Sequence, residues 1–367
     1  KRVLDEMMPY FTEKFGNASS LDHPFGYDAS VAVEDAREKI ANAVGARHDE
    51  IVFTSGATES DNIALLGTMQ KYADRGNHLI TCVTEHKAIL DTAKHLESLG
   101  NKVTYLPVNE LGEIDLKELE ESITDDTVMI SIMMANNEIG TIADVESIGE
   151  IAHNHNVIFH TDAAQAVGHI PVDVEKMSID LMSFSAHKMY GPKGVGALYV
   201  RGVKPRVKPD GLFYGGGQER NIRSGTLNVP GIVGFGKAVE ISQKEMDSEN
   251  QRFSEWSGIM LEEFEKIGGK LNGHPENRLT HNLNVYFPGI EGKSIINSVS
   301  KEIAISAGSA CTTQNVEPSH VLLALGLDED TTHYAIRIGI GRFNTIDEIQ
   351  KAKNMICLSV KSISKIH

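Results

Sequence analysis

The chain has 367 residues, enough to bury a sizeable core in one large domain or two. Hydrophobic residues make up 41% and charged residues 23%, the balance of an ordinary globular protein. Lys and Arg total 35 against 51 Asp and Glu, and the net charge of −16 excludes the electrostatic footprint of a nucleic-acid or anionic-membrane binder while leaving a basic protein partner open.

Residues Lys1 to Phe15 carry an amphipathic pattern and not that of a signal peptide. From Glu50 onward, short β-branched runs alternate with longer helical patterns, which predicts an α/β architecture with a largely parallel sheet. The run Glu50 to Thr54 reads as a strand, followed by the turn Ser55-Gly56-Ala57-Thr58 and a helix from Glu59 to Gln70. Further strands are predicted at His78 to Val83, Val103 to Val108, Val128 to Met134, Val157 to His160, Leu181 to Ser185 and Gly196 to Val200. Helical segments such as Leu116 to Ser122 and Ile148 to Asn154 lie between them, and Tyr214-Gly215-Gly216-Gly217-Gln218 reads as a flexible loop. A long charged helix, Gln243 to Ile267, then leads into a second α/β unit. Its strands fall near Asn282 to Phe287, Ile303 to Ser306 and Tyr334 to Ile340, with a closing helix from Ile346 to Ile363. The expected division is a large domain over 16–245 and a small one over 246–367, joined by 1–15.

The three cysteines, Cys82, Cys311 and Cys357, are widely spaced and form no CxxC pair, which suits free thiols in a reducing compartment. No apolar stretch approaches the length of a bilayer span, so a cytoplasmic protein with no membrane contact is expected.

Four stretches carry chemistry. Ser55-Gly56-Ala57-Thr58-Glu59-Ser60 sits between a strand and a helix, where unpaired N–H groups suit a phosphate, although an ordinary Ser/Thr cap has the same pattern. It matches neither a Walker loop nor a dinucleotide fingerprint. Asp162-Ala163-Ala164-Gln165 follows an apolar strand, placing an acid at the carboxyl end of a parallel strand. That acid can pair with a protonated heterocyclic nitrogen or cap a helix. Ser183-Phe184-Ser185-Ala186-His187-Lys188 puts a lysine beside small polar groups at another strand end, the placement a nucleophilic amine needs; Lys193 lies in a Gly-Pro-x-Gly turn and reads as solvated. Ser306-Ala307-Gly308-Ser309-Ala310-Cys311-Thr312 offers a thiol on a small, polar loop. Cys82, within a strand, and Cys357, on the apolar face of the last helix, read as packing residues. His153, His155 and His160 mimic a metal cluster, but their spacing is looser than that of zinc sites and no metal is expected.

With Glu85-His86-Lys87, Asn136-Asn137-Glu138-Ile139-Gly140 and Arg223-Ser224-Gly225-Thr226, these motifs come in the order and at about the spacing of cysteine desulfurases. Over nearly its whole length the chain resembles the long-loop, housekeeping class of that family, which serves iron–sulfur cluster assembly and tRNA thiolation. The resemblance implies the aminotransferase-like fold type I, with a mainly parallel seven-stranded sheet in the large domain and a smaller α/β carboxyl-terminal domain. It also implies a homodimer, pyridoxal 5'-phosphate as cofactor, L-cysteine as substrate and a protein sulfur acceptor such as an iron–sulfur scaffold.

By the same resemblance Lys188 holds the cofactor, Asp162 pairs with its ring nitrogen and Gln165 bonds its ring hydroxyl oxygen. His86 stacks on the ring and moves protons, and Asn137 sits close to cofactor or substrate. Ala57, Thr58, Ser185 and His187 cradle the phosphate, with Thr226 reaching across from the second subunit. Arg337 clamps the substrate carboxylate, with Arg342 the weaker candidate, and Cys311 receives the sulfur as a persulfide while alanine leaves. The Asn-Ala-Ala-Thr-Thr-like strand with which the family opens has no counterpart here, so a leading segment ahead of Lys1 is expected. The competing readings are a selenocysteine lyase or sulfinate-cleaving relative on the same fold and, in a different class, a non-catalytic assembly scaffold.

Overall fold

A computed structural model describes residues 1–307 and 318–365, and among these the chain divides into two compact units. The first comprises residues 1–106, 116–134 and 143–246; the second comprises 107–115, 135–142 and the chain from Asp247 onward. Residues 1–15, expected with the small domain, belong to the first unit, where Arg2 Nη2 donates to Glu245 Oε2 at 3.0 Å.

The first unit is built on a seven-stranded sheet of β1 (Ile51–Thr54), β2 (His78–Cys82), β3 (Lys102–Leu106), β4 (Thr127–Ser131), β5 (Ile158–Asp162), β6 (Leu181–Ser185) and β7 (Gly196–Val200). Their spatial order is β1-β7-β6-β5-β4-β2-β3. The pairs from β3 through β6 are parallel, and β7 runs antiparallel to both β6 and β1. A sheet covered on both faces demands apolar strands, and β1, β2, β4, β5, β6 and β7 are buried at every position. Val52, Leu79, Met129, Leu181 and Leu198 pack with Ile63 and Leu65 of the helix Ala57–Lys71 in one core cluster.

The terminal strand β1 has no backbone neighbour on its outer edge in the order above, and side chains take that place. Phe53 N donates to Glu219 Oε2 at 2.7 Å, and the Ile51 carbonyl accepts from Arg37 Nη1 at 2.8 Å and Arg220 Nη2 at 2.9 Å. Arg37 and Glu219 are themselves joined by two bonds of 2.8 Å, both side chains being buried. Glu219, Arg220 and Asn221 all have positive φ (45°, 58° and 64°), a run that L-residues adopt only when held there. The clamp on β1 does the holding and so fixes the loop that follows the Gly-rich stretch.

The helix predicted from Gln243 begins earlier, at Val229, and runs to Glu265. Gly231, Gly234 and Gly236 weaken the helix signal over its first turns. The packing explains Gly236: a Cβ there would lie 2.8 Å from Ala36 Cα, so only glycine lets the two helices approach this closely. Tertiary contact overrides propensity.

The second unit carries a four-stranded antiparallel sheet of β8 (Lys270–Leu271), β9 (Asn282–Tyr286), β10 (Ser306–Ala307) and β11 (Ala335–Gly339), in the order β10-β11-β9-β8. Leu283, Val285, Ile336 and Ile338 bury against Phe253, Trp256, Met260 and Phe264 of the long helix and against Ile349 and Ile356 of the closing helix, Ile346–Ile363. Trp256 is therefore a core residue.

Removing Arg37 strands a buried carboxylate. Arg37→Met is expected to cost about 3–5 kcal/mol of stability, read from urea denaturation, against less than about 1 kcal/mol for loss of the exposed Lys102–Asp126 pair in Lys102→Met.

Candidate active site

The strand order places β5 at the middle of the first unit's sheet, and parallel strands end there together on one side. Asp162 is the last residue of β5 and is buried. Its Oδ1 accepts Ala164 N at 2.8 Å. Burial pushes the Asp162 carboxyl above the usual range, while the Ala164 N–H and the positive charges of His86 and Lys188 act in the opposite direction. A carboxylate here needs a cationic partner, and His86 and Lys188 are the groups whose charge favours its ionised form.

His86 caps the helix Lys87–Ser98, where its Nδ1 accepts Ala88 N at 3.1 Å. That bond leaves Nε2 as the protonated nitrogen of the neutral ring, and the side chain is exposed. Lys188 is also exposed and lies on the short 3-10 turn Ala186–Met189 that follows β6. The turn ends in a left-handed Tyr190 (φ 64°), and His169 Nε2 donates to the Lys188 carbonyl at 2.9 Å. The lysine backbone is thus pinned while its side chain points outward. Gln165 is half-buried on the turn just beyond Asp162.

The phosphate-type features converge on the turn after β1. The helix Ala57–Lys71 starts at Gly56 with no side-chain cap, so the first-turn N–H groups are not taken by a neighbouring hydroxyl or carboxylate. Ala57 is half-buried and Thr58 exposed. Ser185 is buried at the end of β6, with its Oγ 2.7 Å from Nδ1 of the exposed His187. Glycine at 196 permits the close approach of β7 to this turn, since a Cβ there would lie 2.6 Å from Gly56 Cα. Glu59 ties the turn to the loop beyond the Gly-rich stretch, accepting Ser55 N at 2.8 Å and Arg223 Nε at 2.7 Å. Thr226, exposed, follows three residues later. The set fits pyridoxal phosphate: an uncapped helix start with small residues for the phosphate, a buried acid short of positive charge for the ring nitrogen, and a lysine whose charge favours that acid's ionised form.

In the second unit, Arg337 lies on β11, half-buried, and donates from Nη1 to the Asn137 carbonyl at 3.0 Å. Arg342 is held by Glu249 through Nη2–Oε2 at 3.0 Å and a second bond from Nε, which leaves Arg337 the better placed to take a substrate carboxylate. Cys311 lies outside the described residues. Of the two described cysteines, Cys82 is buried beside Glu85, and burial pushes its thiol up to about 11. Burial also raises the half-buried Cys357, which packs on the second unit's core. Neither is a ready thiolate at neutral pH.

The histidines weighed as a metal cluster have other partners. His153 bonds Asp180 at 3.1 Å, His155 bonds Glu120 at 3.1 Å, and His160 lies fully buried between Ser131 and Ser183 at 2.9 and 3.0 Å. Sequence reasoning did not assign Glu59, Arg223, His169 or Asp61. One signal was available for the buried layer: His160 and Asp162 alternate on one face of an otherwise apolar strand.

The chain is similar to known proteins over its full length. The family model for class-V aminotransferases matches residues 1–352. The chain is 48% identical over 367 residues to the cysteine desulfurase IscS of Rickettsia africae, covering 100% of this chain and 89% of that protein. It is 52% identical over 357 residues to the IscS of Neisseria meningitidis serogroup C, covering 97% and 88%. Among solved structures, a NifS-like protein superposes with a TM-score of 0.91 at 39% identity, covering 100% of this chain and 96% of that one.

Glu59 touches no expected ligand, so its effect must pass through the turn. Glu59→Ala is expected to weaken cofactor retention about tenfold, the loss of roughly one charge-assisted hydrogen bond, as measured by equilibrium dialysis of the coloured enzyme.

Proposed function

The chain belongs to the class-V aminotransferase family and is a pyridoxal-phosphate-dependent cysteine desulfurase; from that premise we propose that Lys188, Asp162 and His86 form its cofactor site and Cys311 its sulfur acceptor. The observation that supports the site assignment is the buried carboxylate of Asp162 at the end of the central strand, held by the Ala164 N–H at 2.8 Å.

When bound, pyridoxal phosphate supplies an electron sink for the negative charge that develops at the substrate's α-carbon. Lys188 anchors the cofactor and its amine removes and returns the α-proton. Asp162 holds a proton on the ring nitrogen by pairing with it. Gln165 bonds the ring hydroxyl oxygen. Ala57, Thr58, Ser185 and His187 receive the phosphate, and Thr226 contributes to the same group in the partner subunit. Arg337 takes the substrate carboxylate in two parallel bonds, with Asn137 beside it. Cys311, as thiolate, attacks the sulfur of free cysteine; the S–S bond forms as the C–S bond breaks, the sulfur stays on Cys311 as a persulfide, and the carbon skeleton takes up protons to leave as alanine. His86 is the group that exchanges protons with substrate and thiol. The resistance of Cys82 and Cys357 to ionisation supports leaving this role to Cys311.

The persulfide sulfur passes to an acceptor protein, and an iron–sulfur scaffold is the proposed one, with tRNA thiolation as a second outlet. The proposed assembly is a homodimer. Leu4, Phe11, Phe15, Phe25 and Tyr27 expose more than half of their surfaces in the first unit, the kind of apolar area that a second copy covers. The cytoplasm is the proposed compartment, since unpaired thiols suit a reducing environment. No helix among the described residues is long and apolar enough to cross a membrane.

Purified protein is expected to be yellow and Lys188→Ala to lose that absorption; a wild type that stays colourless after reconstitution with pyridoxal phosphate contradicts the cofactor site. Cys311→Ser is expected to keep the colour and release no sulfide from cysteine, and unchanged sulfide release contradicts the persulfide role. Arg337→Ala is expected to raise KM for cysteine about tenfold or more with a smaller change in kcat, read from initial rates, because it removes a bidentate carboxylate contact.

A further inference from the structure

Two more acids lie buried with Asp162, and the assigned chemistry uses neither. Asp61, on the first turns of the helix Ala57–Lys71, and Glu85, just after β2, have no solvent exposure. Glu85 has an evident partner, since its Oε1 accepts Met133 N at 2.6 Å. Asp61 is different: both carboxylate oxygens are enclosed, no bond to either has full hydrogen-bond geometry, and the Ser183 hydroxyl is the one near donor. Its nearest charged-type contact is His160 Nε2, 3.7 Å from Oδ1.

His160 is no counter-ion. It is completely buried, and burial pushes its ring down to about 3, so the imidazole is neutral. Its two nitrogens sit between two hydroxyls, Ser131 Oγ on Nδ1 at 2.9 Å and Ser183 Oγ on Nε2 at 3.0 Å. A hydroxyl can donate or accept, so these bonds alone do not choose a tautomer. Lys188 and His86 favour the ionised form of Asp162 and are not among the groups that act on Asp61. Asp61 has burial and the charges of Asp162 and Glu85 against its ionisation, with Ser183 the neighbour that works the other way. An ionised carboxylate with no counter-charge and a single hydroxyl beside it is costly in a protein interior.

We propose that Asp61 is a positioning residue that keeps its proton through the enzyme's working pH range, fixing His160 as the Nδ1–H tautomer and leaving Asp162 the ionised acid of the pocket. A protonated Asp61 is a donor. It directs a hydrogen-bond chain through Ser183 to His160 Nε2, and His160 Nδ1–H then donates to Ser131. The chain runs on the face of β5 that also carries Asp162, two residues along the strand. Like charges crowded in one buried site cannot all ionise, and the proton on Asp61 decides where the single negative charge resides. The effect on the cofactor rests on the proposal that Asp162 pairs with the ring nitrogen; the proton on Asp61 does not.

The test is made on the holoenzyme. Infrared difference spectra of wild type against Asp61→Asn should show a protonated-carboxyl band that the variant loses. The pH midpoint of the bound chromophore should move by less than about 0.3 unit in Asp61→Asn, whereas loss of a charged neighbour moves a buried group by about one unit or more. Asp61→Leu, which cannot donate, should lose cofactor on dialysis about tenfold faster, and Asp61→Asn should restore the wild-type rate. Absence of the band, a midpoint shift of about one unit in Asp61→Asn, or equal cofactor loss in Asn and Leu variants overturns the proposal. An unchanged chromophore titration in Asp162→Asn overturns the cofactor role and leaves the infrared result to decide the proton. If Asp61→Asn does not fold, wild type with isotope-labelled aspartate decides: a labelled protonated band from about pH 6 to 9 supports the proposal, and its absence overturns it.

Discussion

Charge inside a protein has to be matched, and the first unit is organised around one place where it is. Asp162 ends the central strand of a largely apolar, buried sheet, so its carboxylate has lost most of the water that would solvate it. The Ala164 N–H, Lys188 and His86 offset part of that cost, and burial still dominates. On the proposed assignment, a cofactor with a protonated ring nitrogen would supply the remainder, so that an acid awkward in the protein alone would suit the holoenzyme. The neighbouring acids follow from the same constraint: wherever one charge is stabilised in a closed space, the others nearby are held neutral.

The rest of the first unit keeps that acid and its companions in register. The Lys188 turn is fixed by the bond from His169 to its carbonyl and by a left-handed Tyr190 at its end. The phosphate-type turn is fixed by Glu59, which bonds both Ser55 and Arg223. Arg223 in turn belongs to a loop whose strained backbone at Glu219 to Asn221 is secured to the outer edge of β1. That clamp also closes an edge that would otherwise present unpaired N–H and C=O groups to other chains. One buried ion pair, Arg37 with Glu219, thus serves edge protection and site geometry together.

The second unit supplies different chemistry from a simpler scaffold. Its antiparallel sheet packs on the apolar faces of the long helix and the closing helix and presents Arg337 beside the backbone of Asn137. Arg342, five residues later, is spent on Glu249, so two arginines that look alike in sequence differ in what they are free to bind. The same distinction separates the cysteines. A thiol walled in by strands and acids, such as Cys82, cannot ionise at neutral pH, and sulfur transfer requires one that can.

The amino-acid order by itself determined the class of the fold, because short β-branched runs alternating with helical patterns have few other solutions, and all seven strands of the main sheet were legible that way. It also determined the motif set, since Lys188, Asp162, His86 and the Ser55 turn each stand at a strand end where the pattern breaks. Long-range pairing was not legible. The early start of the long helix at Val229 follows from Gly236 meeting Ala36, and the place of residues 1–15 follows from contacts with distant segments such as Glu245. Only the tertiary structure decided that His160 belongs to a buried hydroxyl chain and not to a metal cluster, that Glu59 braces the phosphate turn, and that Asp61 shares an enclosed space with Asp162. Local sequence sets backbone preference and side-chain type, whereas protonation and bonding depend on which distant groups the fold brings within a few ångströms and how much water it leaves between them.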